Sequence, residues 1–263
     1  MSYVLDDKYK NHEVFSKLTN YIAFYEDFAI SIMKFPTYGT TSFINLDTYA
    51  YSSIGATLES IKMILKAGQI NDAFALLRKY HDSTIINIYS NLYISDHLAE
   101  GAVLVDKINN WLHGKEKMIR YEKMCEYIKK SDKLKAITEL FHKDKRYETI
   151  RKKCNDHTHY NFFHNLAIND KQIYNNTRIQ LLNEFLWFLQ DLLIQHLAYI
   201  FYLHDHYTSS SDYIDYLEIS ETPPIDSQYW VASFIQGTFN SEIKLRRIDI
   251  YNEIKNKTNM HLN

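Results

Sequence analysis

The sequence predicts an all-α fold, arranged as a single up-and-down bundle of about six or seven helices. Apolar residues recur at three- and four-residue steps through most of the 263 residues, the spacing that places side chains on one face of a helix. Only 6 glycines and 3 prolines occur, too few for the many tight turns of a β sandwich. Hydrophobic residues make up 46% of the chain, enough for an ordinary globular core.

Three helices are expected in the first part of the chain, over residues 11–33, 47–67 and 70–93. Gly68 lies in the short connection between the second and third of these, which makes them pack antiparallel as a hairpin. The apolar stripe of the second helix consists of Ile54, Leu58, Ile61 and Leu65. That of the third consists of Ile70, Phe74, Leu77, His81, Ile85, Ile88 and Leu92.

The helical pattern continues through the rest of the chain. Further helices are expected at 115–130, 133–143, from 146 onward, 177–206 and 239–257. A polar loop is expected over 208–224, and a C-terminal segment, 225–258, is expected to dock on the bundle. With no internal repeat and no clear boundary, residues 1–263 are predicted to form one domain.

Composition argues against several classes of protein. The net charge of −2, from 30 basic and 32 acidic residues, predicts no strong non-specific attraction to nucleic acid. The two cysteines, Cys125 and Cys154, form neither a metal-type pair nor a disulfide framework. The acidic N-terminus has no apolar signal core, and the apolar stretch 181–204 is interrupted by polar residues. We therefore expect a cytoplasmic protein with no cofactor and no membrane span.

A first polar cluster interrupts the third helix. His81 falls on its apolar stripe, and Arg78 and Asp82 are i,i+4 neighbours beside it. A polar group that faces a core needs partners from another helix, because an unmet buried charge costs several kcal/mol. The cluster is either one wall of a functional site or a structural network that fixes helix packing.

A second polar cluster follows the start of the helix at 146. If that helix continues, Arg151, Asn155 and His159 lie four residues apart on one face, and His157 points elsewhere. An imidazole can exchange a proton near neutral pH, and a guanidinium can hold phosphoryl oxygens as charge develops. The alternative is a helix end whose polar side chains cap backbone groups.

A third polar run, His204-Asp205-His206, ends the helix at 177–206. Residues two apart do not share a helical face, so a surface position near the helix C-terminus is expected. Adjacent His-Asp pairs, here His81-Asp82 and His204-Asp205, are also typical of metal-dependent phosphohydrolases of the HD type. No helical His-x-x-x-His pair accompanies them, so no metal site is predicted.

Two stretches resemble the HEPN superfamily of α-helical bundles, and more narrowly its branch from bacterial defence and abortive infection. Residues 57–69 and 72–82, with Leu-Leu-Arg ending at Arg78 and the acidic Asp82 downstream, resemble the first hairpin of that family. The segment 154–161 is similar to the family segment in which Asn or Ser precedes a histidine. The resemblance covers roughly residues 47–206.

The resemblance implies an activity and a set of site residues. Catalytic HEPN members are metal-independent ribonucleases, usually dimeric, in which a histidine follows an arginine at a short interval. Five residues separate Arg151 from His157, which fits that interval, whereas the surrounding pattern aligns His159, which seven residues separate from Arg151. Lys152 stands where the family has a polar residue. The residues expected to act or bind beside these are Asn155, Arg78, His81, Asp82, Asp156 and Asn161.

The leading hypothesis is therefore an HEPN-like protein that binds RNA or cleaves it without metal, in a defence or toxin role, and that is expected to form a homodimer. Many members of the family lack the full motif and act as binding or scaffold domains. A non-catalytic helical interaction module, with Arg151, Asn155 and His159 facing the core, is the alternative.

Overall fold

The computed structural model describes residues 5–33, 46–98, 105–170 and 176–263. No strand forms within these ranges; two isolated β-bridges join Ser209 to Val231 and Trp230 to His261. The all-α class is therefore confirmed. The expectation of six or seven helices is not confirmed, because several short helices form where a loop or one continuous helix is predicted.

Among the described residues, four helices have 20 or more residues and the others are shorter. The α-helices are α1 (Asp7–Lys10), α2 (Val14–Met33), α3 (Leu46–Lys66), α4 (Ile70–His97), α5 (Asp106–Leu112), α6 (Tyr121–Lys130), α7 (Lys135–Phe141), α8 (Arg146–Thr158), α9 (Phe163–Ala167), α10 (Arg178–Leu203), α11 (Ser211–Glu218), α12 (Ser233–Thr238) and α13 (Ile248–Lys257). Short 3-10 segments cover Asp132–Leu134, Asp205–Thr208 and Ser227–Tyr229, and a π-helical segment covers Phe239–Lys244.

Several predicted boundaries differ from the observed ones. The predicted helix at 11–33 begins only at Val14, because the residues before it form the separate short helix α1. Asp6 caps α1, and its side chain accepts a hydrogen bond from the Tyr9 backbone N–H at 2.8 Å. The predicted loop at 208–224 contains α11. The predicted helix at 239–257 is divided into the π-helical segment and α13.

The hairpin of α3 and α4 forms as the sequence predicts. Gly68 lies in the turn with a φ of 81°, a left-handed conformation that glycine adopts without strain. Its N–H donates to the Leu65 carbonyl at 2.9 Å, and the Gln69 N–H donates to the Ile64 carbonyl at 3.1 Å, which satisfies the last carbonyls of α3. All the residues predicted for the two apolar stripes are buried.

The chain divides into two compact units that take alternate segments of the sequence. The first unit contains Met1–Glu26, Ser52–Thr84 and Asp144–Leu193. The second unit contains Asp27–Tyr51, Ile85–Lys143 and Ile194–Asn263. Helices α2, α3, α4 and α10 each contribute one part to each unit. The prediction of one domain over residues 1–263 stays a prediction.

Each unit has its own aromatic core. In the first unit, the Phe74 ring packs edge-on against Phe185, with ring centroids 5.1 Å apart. In the second unit, the Phe28 ring stacks on Tyr51 at 4.6 Å and contacts Phe201 at 5.3 Å. Such aromatic pairs contribute beyond the area they bury, by about 0.5–1.5 kcal/mol each.

One helix among the described residues, α10, is long and apolar enough to cross a membrane by length and composition. Its most apolar window is 78% buried inside the protein. That burial is typical of the core helix of a soluble protein, because a membrane span exposes its apolar side chains to lipid.

Candidate functional site

Two arginines, one aspartate and one histidine of the first unit meet at the surface. Arg78 and Asp82 lie one turn apart on α4, Arg151 lies on α8, and His159 follows the last residue of α8. The Arg151 Nη1 donates to the Asp82 Oδ1 at 2.5 Å, and the Arg78 Nη1 lies 3.4 Å from the His159 Nε2. We call Arg78, Asp82, Arg151 and His159 the arginine–histidine cluster.

The end of α8 sets the position of His159. The helix stops at Thr158, and the His159 N–H donates to the Asn155 carbonyl at 3.0 Å. Tyr160 then takes a left-handed conformation, with a φ of 50°, which turns the chain away from the helix axis. The His159 side chain is left exposed beside α4.

Asp156 and Asn161, both expected to bind a ligand, bond to each other at this helix end. The Asn161 backbone N–H donates to the Asp156 carbonyl at 3.0 Å, and the Asn161 Nδ2 donates to the Asp156 Oδ1 at 2.7 Å. One backbone bond and one side-chain pair thus join the last turn of α8 to the segment that follows it.

The cluster carries more positive than negative charge. Asp82 accepts from Arg151, and its second oxygen lies 3.9 Å from the Arg78 Nε, so one carboxylate faces two guanidiniums. The side chains of Arg151 and Asp82 are 15% and 34% exposed, which leaves part of the pair open to solvent. A guanidinium in such a position has donors that match the oxygens of a phosphate.

Cys154 lies buried on α8 close to the cluster. Burial raises the pKa of its thiol to about 12, although the nearby Arg151 and Arg78 guanidiniums act in the opposite direction. The thiol therefore stays protonated at neutral pH and does not act as a nucleophile, because the thiolate is the reactive form.

His157 does not belong to the cluster, which corrects its place among the expected catalytic residues. Its side chain is 0% exposed and stacks on the Phe74 ring at 4.1 Å. Its Nδ1 lies 2.9 Å from the Asn71 Oδ1, and because an amide oxygen only accepts, Nδ1 carries the proton. Burial lowers the pKa of His157 to about 4. A sealed, neutral imidazole cannot exchange protons with a ligand.

His81 and Asn155 also lie away from the open surface. His81 is buried on the apolar stripe of α4, as the sequence predicts, so it does not bind a ligand at the surface. Asn155 is half-buried, and its side-chain oxygen is shielded from solvent. Of the residues expected at the site, the structure brings together Arg78, Asp82, Arg151 and His159.

A polar network in the second unit is not among the features predicted from the sequence. The Asp47 Oδ1 accepts from the Nδ2 atoms of Asn87 and Asn91, each at 2.8 Å, and its Oδ2 accepts from the Tyr207 hydroxyl at 2.8 Å. The two asparagines lie four apart on the apolar side of α4, and that pattern is the sequence signal that could have indicated the network.

Two histidines of α10 and the segment after it complete this network. The His196 Nε2 lies 2.9 Å from the Asn87 Oδ1, and the His204 Nε2 lies 2.8 Å from the Asn91 Oδ1. The amide oxygens accept, so both imidazoles donate from Nε2. Burial lowers the pKa of His196 to about 3 and that of His204 to about 4. The surface position expected for the run therefore fits His206, which is exposed, but not His204, which is half-buried and bonded to Asn91.

Over the described ranges, no three side chains of His, Cys, Asp or Glu converge in an arrangement that could hold a metal ion. Neither His81-Asp82 nor His204-Asp205 is joined there by the further ligands that an HD-type site needs.

The sequence matches no protein-family model, and no curated protein or solved structure is similar to it. The resemblance to the HEPN superfamily therefore stays a prediction that rests on the residues quoted for it.

The Arg151–Asp82 pair should show a measurable coupling energy. We expect a double-mutant cycle with Arg151→Met and Asp82→Asn to give a coupling energy of about 1–2 kcal/mol. Both side chains are partly shielded from water, so their coupling should be stronger than that of an exposed ion pair and weaker than that of a buried one. Urea unfolding of the wild type, the two single variants and the double variant measures it.

The matched control is the exposed pair Lys123–Glu126 on α6, with 2.9 Å between Nζ and Oε2. Its coupling should be clearly smaller, because both side chains are solvated. Equal couplings in the two pairs would contradict the shielding assigned to Arg151 and Asp82.

Proposed function

We propose that this chain binds RNA at the arginine–histidine cluster and cleaves it without a metal ion. The observation that carries the proposal is the exposed His159 imidazole 3.4 Å from the Arg78 guanidinium, with the Arg151 guanidinium held beside them by Asp82. A proton-exchanging group next to cationic donors is what phosphodiester transfer within RNA requires. The resemblance to HEPN ribonucleases supports the same activity.

The proposed reaction uses the ribose 2′-hydroxyl as the nucleophile. His159 takes the proton from this hydroxyl, and the 2′-oxygen attacks the adjacent phosphorus. The bond from phosphorus to the 5′-oxygen breaks, which leaves a 2′,3′-cyclic phosphate on one product. The departing 5′-oxygen receives a proton, from the protonated imidazole or from water, and becomes a hydroxyl.

We give the role of holding the phosphoryl oxygens to Arg78. The sequence points to Arg151 for this role, but the Arg151 guanidinium is bonded to Asp82, and Arg78 is the one beside the imidazole. In this arrangement Arg151 and Asp82 position Arg78, since Asp82 lies near both guanidiniums.

His159→Ala should lower the rate of RNA cleavage by about a hundredfold or more, because it removes the proton-transfer group. Arg78→Ala should lower it by a similar factor, because a single stabilising donor is worth about that much. Incubation of the purified protein with a labelled RNA in EDTA measures the rate. His113→Ala, which removes an exposed histidine of the second unit, is the control and should leave the rate unchanged. RNA that stays intact at a large excess of wild-type protein would remove the cleavage proposal.

A non-catalytic interaction module is the second candidate function. The Arg151–Asp82 bond favours it, because an arginine paired within its own chain has fewer donors left for a ligand. The segment after the cluster also exposes large apolar side chains, among them Phe163 at 83% and Leu166 at 56%. RNA binding that is unchanged by both Arg78→Ala and His159→Ala would favour this candidate.

Three further parts of the proposal rest on the resemblance and the composition. These are assembly as a homodimer, a role in defence or as a toxin, and a cytoplasmic location.

A further inference from the structure

The end of α11 and the loop after it expose large apolar side chains in the second unit. The exposed fractions are 49% for Leu217, 65% for Ile219 and 89% for Ile225. Burial of such side chains against a partner is favourable, so several of them exposed so close together along the chain indicate an interaction surface. We call residues 217–226 the acidic loop, because carboxylates accompany these apolar side chains.

Hydrogen bonds fix both ends of the acidic loop. The Glu221 N–H donates to the Tyr216 carbonyl at 2.9 Å, which closes the end of α11. The Ser227 N–H donates to the Pro224 carbonyl at 3.1 Å, and the 3-10 segment Ser227–Tyr229 packs against α11. The loop is therefore held against the helix that it leaves.

The backbone of the acidic loop is unusual at two positions. Ser220 and Asp226 take left-handed conformations, with φ angles of 58° and 62°. A residue other than glycine adopts this region at a cost, and such positions are concentrated at functional sites. Between them, Pro223 and Pro224 fix two further φ angles. A loop stiffened in this way loses little conformational entropy when it binds a partner.

Negative charge surrounds the apolar side chains. Residues 179–243 contain no lysine or arginine, although the whole chain has 30. Asp212, Glu218, Glu221 and Asp226 are exposed, and in the part of the chain that the structure describes none of their carboxylates forms an ion pair or a hydrogen bond. These carboxylates repel an RNA strand or an anionic lipid surface and attract a cationic partner.

We propose that the acidic loop binds a segment of a partner protein that carries lysines or arginines beside apolar side chains. Ile219 and Ile225 contact the apolar side chains of that segment, and the nearby carboxylates face its cations. The apolar contacts supply most of the affinity, whereas the charges select the partner and accelerate association. The inference concerns a surface of the second unit and does not rest on the proposed function, whose residues all belong to the first unit.

The apolar contribution is tested with a labelled amphipathic helical peptide of leucine and lysine, and with a comparison peptide in which glutamate replaces every lysine. The intact protein should bind the lysine peptide and not the glutamate peptide. Ile219→Ser combined with Ile225→Ser should weaken binding of the lysine peptide about tenfold or more, because two apolar contacts are lost. Leu245→Ser, at a leucine of the second unit that is 77% exposed, is the control and should leave the affinity unchanged.

The charge contribution is tested with Glu218→Gln combined with Glu221→Gln. This variant should lower the association rate of the lysine peptide severalfold at low salt and by less at high salt, because salt screens the attraction. Glu122→Gln combined with Glu139→Gln removes two exposed carboxylates elsewhere in the second unit, and its effect should be clearly smaller.

Three binding results would overturn the proposal: no binding of the lysine peptide, equal binding of the two peptides, or unchanged affinity after both isoleucine substitutions. A lower molar mass of the double isoleucine variant in light scattering would assign the acidic loop to a second copy of the chain instead. Sedimentation of the wild type, but not of this variant, with phosphatidylcholine vesicles would assign it to a membrane. Because the substituted side chains are exposed, the variants should keep the urea midpoint of the wild type, which checks that they fold.

Discussion

Arg178→Ala is expected to lower the free energy of unfolding by about 3–5 kcal/mol, since it removes several charge-assisted hydrogen bonds from the core at once. The Arg178 guanidinium is buried and donates to three backbone carbonyls of the first unit. These are Gly68 at 2.9 Å, Ile168 at 2.6 Å and Asp170 at 2.7 Å. The Arg178 side chain thus links the turn of the α3–α4 hairpin to the segment after α9 by hydrogen bonds. Without it, the three carbonyls lose the guanidinium as a hydrogen-bond donor.

Urea unfolding measures this loss, and Arg120→Ala is the matched control because that arginine is exposed. The control should change the free energy of unfolding by less than about 0.5 kcal/mol. Arg178→Lys should recover only part of the loss, because an ammonium lacks the planar fork that reaches three acceptors. Equal effects of Arg178→Ala and Arg120→Ala would show that the guanidinium does not hold these carbonyls in solution.

Acidification from pH 7 to pH 5 should lower the free energy of unfolding by about 4 kcal/mol through His157 and His196 alone. Burial lowers their pKa values to about 4 and about 3, whereas an unfolded histidine titrates near 6.5. Between these values the unfolded state binds more protons, so stability is full above about pH 6.5 and falls as the pH drops toward the folded pKa. Each histidine contributes a slope of up to about 1.4 kcal/mol per pH unit.

Urea midpoints measured at a series of pH values test this slope. His157→Gln and His196→Gln should each flatten the curve between pH 6.5 and 5, whatever they cost in absolute stability. His97→Gln, at an exposed histidine, is the substitution control. A slope that neither buried-site variant changes would show that other groups take up the protons on unfolding.

The core helices follow from the sequence because periodicity alone fixes which side of a helix is buried. Ile54, Leu58 and Ile61 recur at three- and four-residue steps, and all are fully buried. The hairpin also follows, because Gly68 supplies the left-handed turn that a short connection needs.

The choice between His157 and His159 could not be made from the sequence. It depends on where α8 ends, and this end is made by Tyr160 in a left-handed conformation and by the bond between Asn161 and Asp156, without a glycine to indicate it. One more helical turn would have placed His159 differently. A helix end without glycine or proline leaves little trace in a single sequence.

The network around Asp47 was missed for a different reason. Its partners Asn87, Asn91, His196 and Tyr207 lie 40 or more positions further along the chain. Each of them alone is an ordinary polar residue on a helix or at its end. Only the tertiary fold brings their atoms into hydrogen-bonding distance, and helical periodicity carries no information on that.

The alternation of segments between the two compact units has a genetic consequence. No uninterrupted stretch of codons specifies either unit, since the first takes Met1–Glu26, Ser52–Thr84 and Asp144–Leu193. A gene fragment that ends at Glu26, Thr84 or Leu193 encodes an incomplete set of helices and cuts through α2, α4 or α10. The arginine–histidine cluster, which draws on two of the three stretches, is therefore inherited with the rest of the gene and not as a transferable module.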